Sequence, residues 1–212
     1  MFQVKSFTFN PFQENCYLIY DETKECAIVD PGMLTEQENN HLVVAIDQLG
    51  LKPVLLLQTH LHLDHVFGMG FVVEKYGLQP IAHPDDEFLL AQTVEYSRQF
   101  GVELSAQPPS LGGYLNDGDT VSFGNTKLKV IHIPGHSPGG IVFYNEEAKV
   151  MITGDVLFQG SVGRSDLPGG SYEDLIYGIQ TRLMIYPDEV KVYPGHGPAT
   201  TIGIERVSNP FL

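Results

Sequence analysis

The stretch Thr59-His60-Leu61-His62-Leu63-Asp64-His65 holds four potential metal ligands within six residues. It directly follows Val54-Leu55-Leu56-Leu57, a continuous apolar run that is typical of a buried strand. Alternate side chains of an extended segment leave the same face, so His60 and His62 point together, and the Asp-His pair begins the next turn. Imidazole and carboxylate ligands suit zinc, iron or manganese, whereas a structural zinc site would usually use cysteine. The stretch therefore predicts a catalytic type of metal site at the end of a strand.

Three further candidate ligands lie in the second half of the chain, each after an apolar run: His136, Asp155 and His196. Each also lies beside glycine or proline, in Pro134-Gly135-His136, Gly154-Asp155 and Pro194-Gly195-His196-Gly197. Small neighbours let the backbone turn sharply and come close to a ligand. With the first group they predict one metal site built from several strand ends. The lone histidines are interpreted as ordinary surface or core residues: His41, His83 and His132.

The apolar pattern predicts an α/β fold. In the first half we expect strands at residues 3–9, 16–20, 26–29 and 54–57, and a helix over 36–49 that ends at Gly50. In the second half we expect strands at residues 120–123, 127–133, 141–144, 149–153 and 190–193, and a helix from about 172 to 184. No low-complexity segment or long linker interrupts the sequence. We therefore expect a single domain over residues 1–212 with two similar halves, about 1–115 and 116–212.

Composition limits the partners and the compartment. The 212 residues include 12 basic and 26 acidic side chains, and the net charge of −14 argues against nucleic acid or anionic membranes as partners. The first residues lack the features of a signal peptide, and no apolar run approaches the roughly 18 residues of a membrane span. We expect a cytoplasmic protein in which Cys16 and Cys26 stay reduced. The acidic run Asp85-Asp86-Glu87 is interpreted as a solvated helix start.

These motifs resemble those of the metallo-β-lactamase superfamily. Residues 60–65 fit its HxHxDH signature, and the three later ligands match its remaining positions in order and in glycine context. Within that superfamily the chain looks like a glyoxalase II-type hydroxyacylglutathione hydrolase, in the short form that lacks a C-terminal helical domain. The supporting segments are Asn15-Cys16-Tyr17-Leu18, Val29-Asp30-Pro31-Gly32, residues 160–170 and Asn209-Pro210-Phe211-Leu212. The resemblance implies a four-layer αββα sandwich with the metals at one edge.

The resemblance also implies the ligands and the chemistry. Two divalent metal ions are expected, zinc first with iron or manganese as alternatives, and the second site can be partly occupied. The first ion would take His60, His62 and His136; the second would take Asp64, His65 and His196; Asp155 would bridge them. The implied reaction is hydrolysis of a glutathione thioester such as S-lactoylglutathione, by attack of a hydroxide whose pKa the metals lower. Asp64 and Asp155 are the candidate catalytic carboxylates.

Substrate contacts are predicted with less support from the pattern. An anionic glutathione thioester needs a local cation in so acidic a protein, and Arg164 lies in the loop where the resembling enzymes place a basic glutathione contact. The alternative for Arg164 is a pair with Asp166 within the same turn. Tyr144, like Tyr172 and Tyr193, is a candidate pocket residue, with packing as the alternative. Residues 92–109 show little pattern and are a candidate cover for the pocket.

Other functions of the same fold remain open. A mononuclear iron glutathione persulfide dioxygenase has similar ligands and a related GRxD loop, and lactonases or other ester hydrolases share the first motif. Flavodiiron proteins carry an acidic residue where this chain has His62, which counts against that alternative. The net charge disfavours RNA-processing phosphodiesterases, and a β-lactamase would need an export signal. A non-catalytic metal scaffold is disfavoured because the ligand set leaves positions open for water. The sequence leaves the oligomeric state open.

Overall fold

The computed structural model describes residues 1–104 and 106–212, and it contains two six-stranded sheets. The strands of the first sheet lie side by side in chain order, antiparallel from β1 to β3 and parallel from β3 to β6. They are β1 (Gln3–Phe9), β2 (Glu14–Tyr20), β3 (Glu25–Val29), β4 (Lys52–Leu57), β5 (Pro80–Ala82) and β6 (Gly113–Tyr114). All the strands predicted for the first half are present, and the short β5 and β6 were not predicted.

The second sheet is built from the other half of the chain. That half contains eight strands: β7 (Thr120–Phe123), β8 (Thr126–His132), β9 (Ile141–Asn145), β10 (Val150–Gly154), β11 (Leu157–Phe158), β12 (Ser161–Val162), β13 (Lys191–Pro194) and β14 (Thr200–Thr201). The order is β14-β13-β10-β9-β8-β7, while β11 and β12 form a separate hairpin. Only β10 and β13 pair in parallel within the described part of this sheet. The two sheets therefore divide the chain near residue 115, where the sequence predicts a boundary between halves.

Six α-helices accompany the sheets in the described residues: α1 (Glu36–Leu49), α2 (Leu63–Val66), α3 (Met69–Tyr76), α4 (Glu87–Gln99), α5 (Tyr172–Gly178) and α6 (Ile202–Ser208). The prediction of α1 is confirmed: Thr35 and Glu38 form a capping box at its start, and Gly50 ends it with a φ of 63°. The predicted helix near 172–184 is α5 continued by a π turn over Ile179–Leu183. The helices α3 and α6 were not predicted, and of α4 only the start, at the acidic run of residues 85–87, was.

Buried side chains arrange these elements in four layers. Between the sheets, residues such as Ile19 and Val29 of the first sheet share a core with Val130 and Phe143 of the second. The outer face of the first sheet packs on α1 and α3, and the outer face of the second packs on α5, its π turn and α6. The predicted four-layer αββα sandwich is confirmed.

Strand direction places the candidate ligands at one edge of this sandwich. The parallel strands β3 and β4 of the first sheet lead directly to Asp30 and to residues 59–65. In the second sheet the parallel strands β10 and β13 lead to Asp155 and His196. Because parallel strands end at the same side of a sheet, these side chains meet at a common edge.

The two cysteines of the chain do not form a disulfide. Cys16 and Cys26 are buried, unpaired thiols; Cys16 is opposite Phe7 and Cys26 is opposite Tyr20, so they do not face each other. No helix in the described ranges combines the length and the apolar character that crossing a membrane requires.

Candidate metal centre

Three imidazole nitrogens converge where β4 and β8 end. His62 Nδ1 lies 2.8 Å from His136 Nε2, and His136 Nε2 lies 3.2 Å from His60 Nε2. The chain reaches this geometry because residues 60–62 are extended: Leu61 is buried in an apolar cluster with Val66, so the two flanking histidines point the other way. The three rings form a group with the spacing of a metal site.

A second group of ligand atoms lies beside the first. Asp64 and His65 belong to α2, and His196 follows β13. His196 Nε2 lies 3.2 Å from Asp64 Oδ2, and His65 Nε2 lies 3.8 Å from the same oxygen. These three residues also meet the spacing of a cation site.

Asp155 joins the two groups. Its Oδ2 lies 3.4 Å from His136 Nε2 of the first group and 3.5 Å from His196 Nε2 of the second. Its Oδ1 lies 3.4 Å from His65 Nε2. One carboxylate therefore faces both groups, and the structure brings together all seven residues that the sequence nominates as ligands.

Hydrogen bonds behind two of the rings fix their tautomers. Asp30 Oδ2 lies 3.1 Å from His65 Nδ1 and accepts from Thr59 Oγ1 at 2.5 Å. Because the Thr59 hydroxyl donates to Asp30, it accepts the hydrogen bond from His60 Nδ1 at 3.1 Å. Both Nδ1 atoms therefore carry the proton, which leaves the Nε2 lone pairs free to face the centre.

Backbone carbonyls orient two further rings in the same way. His136 Nδ1 donates to the carbonyl of Arg164 at 2.7 Å, and His196 Nδ1 donates to the carbonyl of Phe12 at 3.1 Å. Their Nε2 atoms consequently present lone pairs to the centre. Arg164 thus contributes to the site through its backbone as well as through its position beside the cavity.

The two groups differ in their protonation. Burial and the neighbouring His136 lower the pKa of His62 to about 3, and burial with His65 lowers the pKa of His60. Burial also acts against the charged form of His65, but Asp64 and Asp155 raise its pKa well above the ordinary value. His60 and His62 of the first group are therefore neutral near pH 7, while His65 and His196 of the second bind protons more readily when no cation is present.

The donor set fits divalent cations. Two polar atoms that face the centre, His65 Nε2 and Asp155 Oδ1, are buried with no hydrogen-bond partner among the residues that the structure describes. Leaving such atoms unsatisfied costs free energy, and converging lone pairs repel each other. Nitrogen and oxygen donors without thiolates suit zinc, iron or manganese. A cation in each group would satisfy these atoms.

Asp86 ties the two ligand loops of the first group together, and sequence reasoning missed it. The residue is fully buried and not solvated, contrary to the interpretation of residues 85–87 as an exposed acidic run. Its carboxylate accepts hydrogen bonds from the amide of Leu61 at 3.1 Å, the hydroxyl of Ser137 at 2.8 Å and the amide of Gly139 at 2.5 Å. These partners flank His60, His62 and His136, so Asp86 positions the rings without touching them.

Asn15 plays a similar part for the loop that carries His196. Its side-chain amide donates to the carbonyls of Pro194 at 3.1 Å and Gly197 at 2.8 Å. Its backbone amide donates to the carbonyl of Gly195 at 2.7 Å. The Asn15-Cys16-Tyr17-Leu18 segment therefore fixes the turn between β13 and β14.

A cavity of about 430 Å³ opens beside the ligands. Arg164 lines it, but its Nε and Nη2 atoms each donate at 2.7 Å to a carboxylate oxygen of Asp166. Helix α4 contributes Thr93 and Tyr96, and Phe100 follows it, so part of the segment at 92–109 does cover the cavity. Ser105 of that segment lies outside the described residues.

Tyr144 is not at the cavity, and its assignment as a substrate contact is corrected. Alternation along β9 sends Phe143 between the sheets and Tyr144 to the outer face, where its ring packs 4.5 Å from that of Tyr186. Of the other two tyrosines, Tyr193 packs against Tyr17 and Tyr172 is exposed. All three are absent from the cavity lining.

A separate cluster of potential ligands does not form a metal site. His83, Asp85 and His132 lie close together, but the two imidazole rings stack with centroids 4.0 Å apart and planes within 12°. Parallel planes at that separation cannot aim their in-plane lone pairs at one ion. His132 Nε2 also donates to the carbonyl of Pro138 at 2.8 Å. The cluster is a packed, hydrogen-bonded pair, in agreement with its interpretation from the sequence.

Comparison with known proteins gives a consistent picture. The sequence profile of the Metallo-beta-lactamase superfamily matches residues 9–196. The hydroxyacylglutathione hydrolase GloC of Haemophilus influenzae is 40% identical over 208 residues, which cover 95% of this chain and 93% of GloC. The structure of TTHA1623 in a di-iron-bound form has a TM-score of 0.88 at 39% identity and covers 98% of this chain and 100% of that one. The BLEG-1 B3 metallo-beta-lactamase has a TM-score of 0.87 at 33% identity and covers 99% of both chains.

The different protonation of the two groups predicts a pH-dependent metal content. Acidification should release metal from the group of Asp64, His65 and His196 first, because protons compete for rings whose pKa the carboxylates raise. The first group should retain its ion, since His60 and His62 resist protonation. Elemental analysis after dialysis at about pH 7.5 and about pH 5.5 should show a fall from about two ions per chain to about one. Simultaneous loss of both ions over this range would contradict the assignment.

The buried carboxylate of Asp86 predicts a large effect of Asp86→Ala. The substitution leaves two buried amides and a hydroxyl without their acceptor, and it should lower the free energy of unfolding by about 2–4 kcal/mol. Zinc affinity should also fall, because the two loops of the first group are no longer tied. Chemical denaturation and zinc titration measure both effects. The neighbouring exposed Asp85→Ala is the control, and equal stability of the two variants would refute the role of Asp86.

Proposed function

The chain belongs to the metallo-β-lactamase superfamily, and from this premise we propose that it hydrolyses a glutathione thioester, such as S-lactoylglutathione, to glutathione and a 2-hydroxy acid. The observation that carries the proposal is the pair of adjacent ligand groups that share Asp155. The 40% identity to a hydroxyacylglutathione hydrolase over nearly the whole chain supports the thioester as substrate. The partner is then a small molecule, with no role for nucleic acid or a membrane.

Two divalent cations would complete the site. His60, His62 and His136 would hold one ion, Asp64, His65 and His196 would hold the other, and Asp155 would contact both. We propose zinc, with iron as the alternative because a similar structure is that of a di-iron-bound form. When bound, the cations supply a water of lowered pKa and a Lewis acid for the thioester carbonyl.

The two carboxylates would orient the attacking water. Burial acts to raise the pKa values of Asp64 and Asp155, but nearby histidines, His65 above all, hold them below the ordinary value, so both are ionised at neutral pH. As acceptors they fix the direction of the O–H bonds of the water and hold its proton close to the site. The thiolate of a thioester is a good leaving group, so a strong general acid is not required.

Arg164 would bind the anionic part of the substrate. Its guanidinium lies at the cavity, and its present partner Asp166 is an exposed carboxylate of the same loop. A carboxylate of glutathione can exchange with Asp166 because exposed ion pairs contribute little free energy. The expected contribution of Arg164 is therefore to substrate affinity and not to the chemical step.

Elemental analysis together with two assays tests the proposal. Purified protein should contain zinc or mixed metals and should decrease the thioester absorbance of S-lactoylglutathione. Asp155→Ala should lose most of its metal and at least about 100-fold in kcat/KM, because it removes a ligand of both ions. Asp47→Ala, on the exposed face of α1, should change neither.

Two results would overturn this function. One is a folded Asp155→Ala variant that keeps full metal content and activity. The other is oxygen uptake with glutathione persulfide, a single iron per chain and no thioesterase activity, which is the behaviour of the dioxygenase alternative.

A further inference from the structure

We propose that the cavity beside the ligands binds a bulky apolar acyl group, so that the enzyme prefers thioesters with aryl or long alkyl acyl groups to those with a lactoyl group. This inference rests on the proposed function and deepens it by naming the acyl class. Three observations support it: an aromatic wall formed by Phe12, Tyr96 and Phe100, the hydrogen bond between this wall and a ligand residue, and the size and charge of the cavity.

The wall is a continuous set of aromatic rings. Phe12, in the turn between β1 and β2, meets Phe100 edge to face with ring centroids 5.7 Å apart. Phe100 follows α4 and contacts Tyr96 of that helix, with centroids 6.0 Å apart. All three line the cavity, and Leu89 extends the wall at the start of α4. Such rings favour stacked or edge-on contact with an aromatic ligand.

One residue of the aromatic wall is hydrogen-bonded to a candidate metal ligand. The carbonyl of Phe12 accepts the hydrogen bond that orients His196, so the backbone that carries the Phe12 ring is held beside that ligand. Phe158 also lines the cavity, and its ring centroid lies 6.2 Å from that of His196. The planes of these two rings are almost perpendicular. These aromatic side chains therefore lie beside the ligands at which a thioester carbonyl would react, where they can contact its acyl substituent.

The volume of the cavity and the charge of its lining also favour a bulky apolar acyl group. A cavity of about 430 Å³ falls within the range of sites that enclose a whole ligand, here the acyl group together with the part of glutathione that Arg164 would hold. Among the described lining residues, Arg164 is the one lysine or arginine, and its two side-chain hydrogen bonds go to Asp166. Most of the free energy available to a ligand on the rest of the wall is therefore apolar burial.

The exposure of Phe100 supports a binding role. Its side chain is 48% exposed beside the cavity, although a residue of this type usually buries its ring. Together with Phe12 and Tyr96 it forms one apolar patch in the cavity lining, and contiguous patches of this kind are typical of ligand-binding sites. A ligand ring packed on Phe100 would remove this surface from water.

Two thioesters that differ only in the acyl group test the inference. S-mandeloylglutathione carries a phenyl group where S-lactoylglutathione carries a methyl group. We expect kcat/KM to be roughly tenfold higher for the mandeloyl thioester. Phe100→Ala should reduce this ratio to about threefold or less. The matched control Phe88→Ala, a half-exposed phenylalanine of α4 that is not in the cavity lining, should keep it.

Binding of thioethers, which are not hydrolysed, gives a readout that does not depend on turnover. Calorimetry with the metal-loaded protein should show S-benzylglutathione binding roughly tenfold more tightly than S-methylglutathione, and Phe100→Ala should remove this difference. Equal rates for the two thioesters, equal affinities for the two thioethers, or an unchanged ratio in Phe100→Ala would overturn the acyl site.

The two proposals can fail separately. Hydrolysis of both thioesters without the mandeloyl preference would overturn the acyl site and leave the thioesterase function standing. Failure of the metal-loaded enzyme to cleave either thioester would overturn the proposed function. In that case the thioether affinities still decide whether the wall binds an apolar group.

Discussion

The mutual approach of three imidazole nitrogens is the constraint on which the rest of the site depends. His136 Nε2 lies 2.8 Å from His62 Nδ1 and 3.2 Å from His60 Nε2, and burial keeps His60 and His62 neutral. Lone pairs held so close repel each other unless a proton or a metal cation lies between them. The protein opposes this repulsion through the groups behind the rings: Thr59 with Asp30, the carbonyl of Arg164, and the bridging carboxylate of Asp86.

The candidate ligands come from both sheets of the sandwich, so a single sheet could not form the site. The parallel strands of the first sheet bring Asp30 and the HxHxDH stretch to one edge, and those of the second bring Asp155 and His196 to the facing edge. Asp155 then reaches ring nitrogens from both groups because the apolar core between the sheets, which includes Phe143, fixes their separation. Asn15 secures the turn that carries His196. Core packing and ligand geometry are thus parts of one structure.

Local patterns predicted the ligands because each lies just after a strand whose apolar run is visible in the sequence. The role of Asp86 was missed because its partners are distant along the chain: Leu61 is 25 residues away and Gly139 is 53. Tyr144 was misplaced because a strand end does not reveal which face its last side chains occupy. The extent of helix α4 beyond its acidic start was missed because its buried positions include Thr93 and Ser97 besides two leucines, which weakens the apolar period.

Anomalous diffraction from crystals of the metal-loaded protein tests the two-metal centre most directly. The account predicts two peaks about 3.5–4 Å apart. One should lie about 2.0–2.2 Å from the facing nitrogens of His60, His62 and His136, and the other at a similar distance from Asp64, His65 and His196. In metal-saturated crystals at about pH 7.5, a lone ion that leaves one of these groups without metal, or ions bound only elsewhere on the protein, would contradict it.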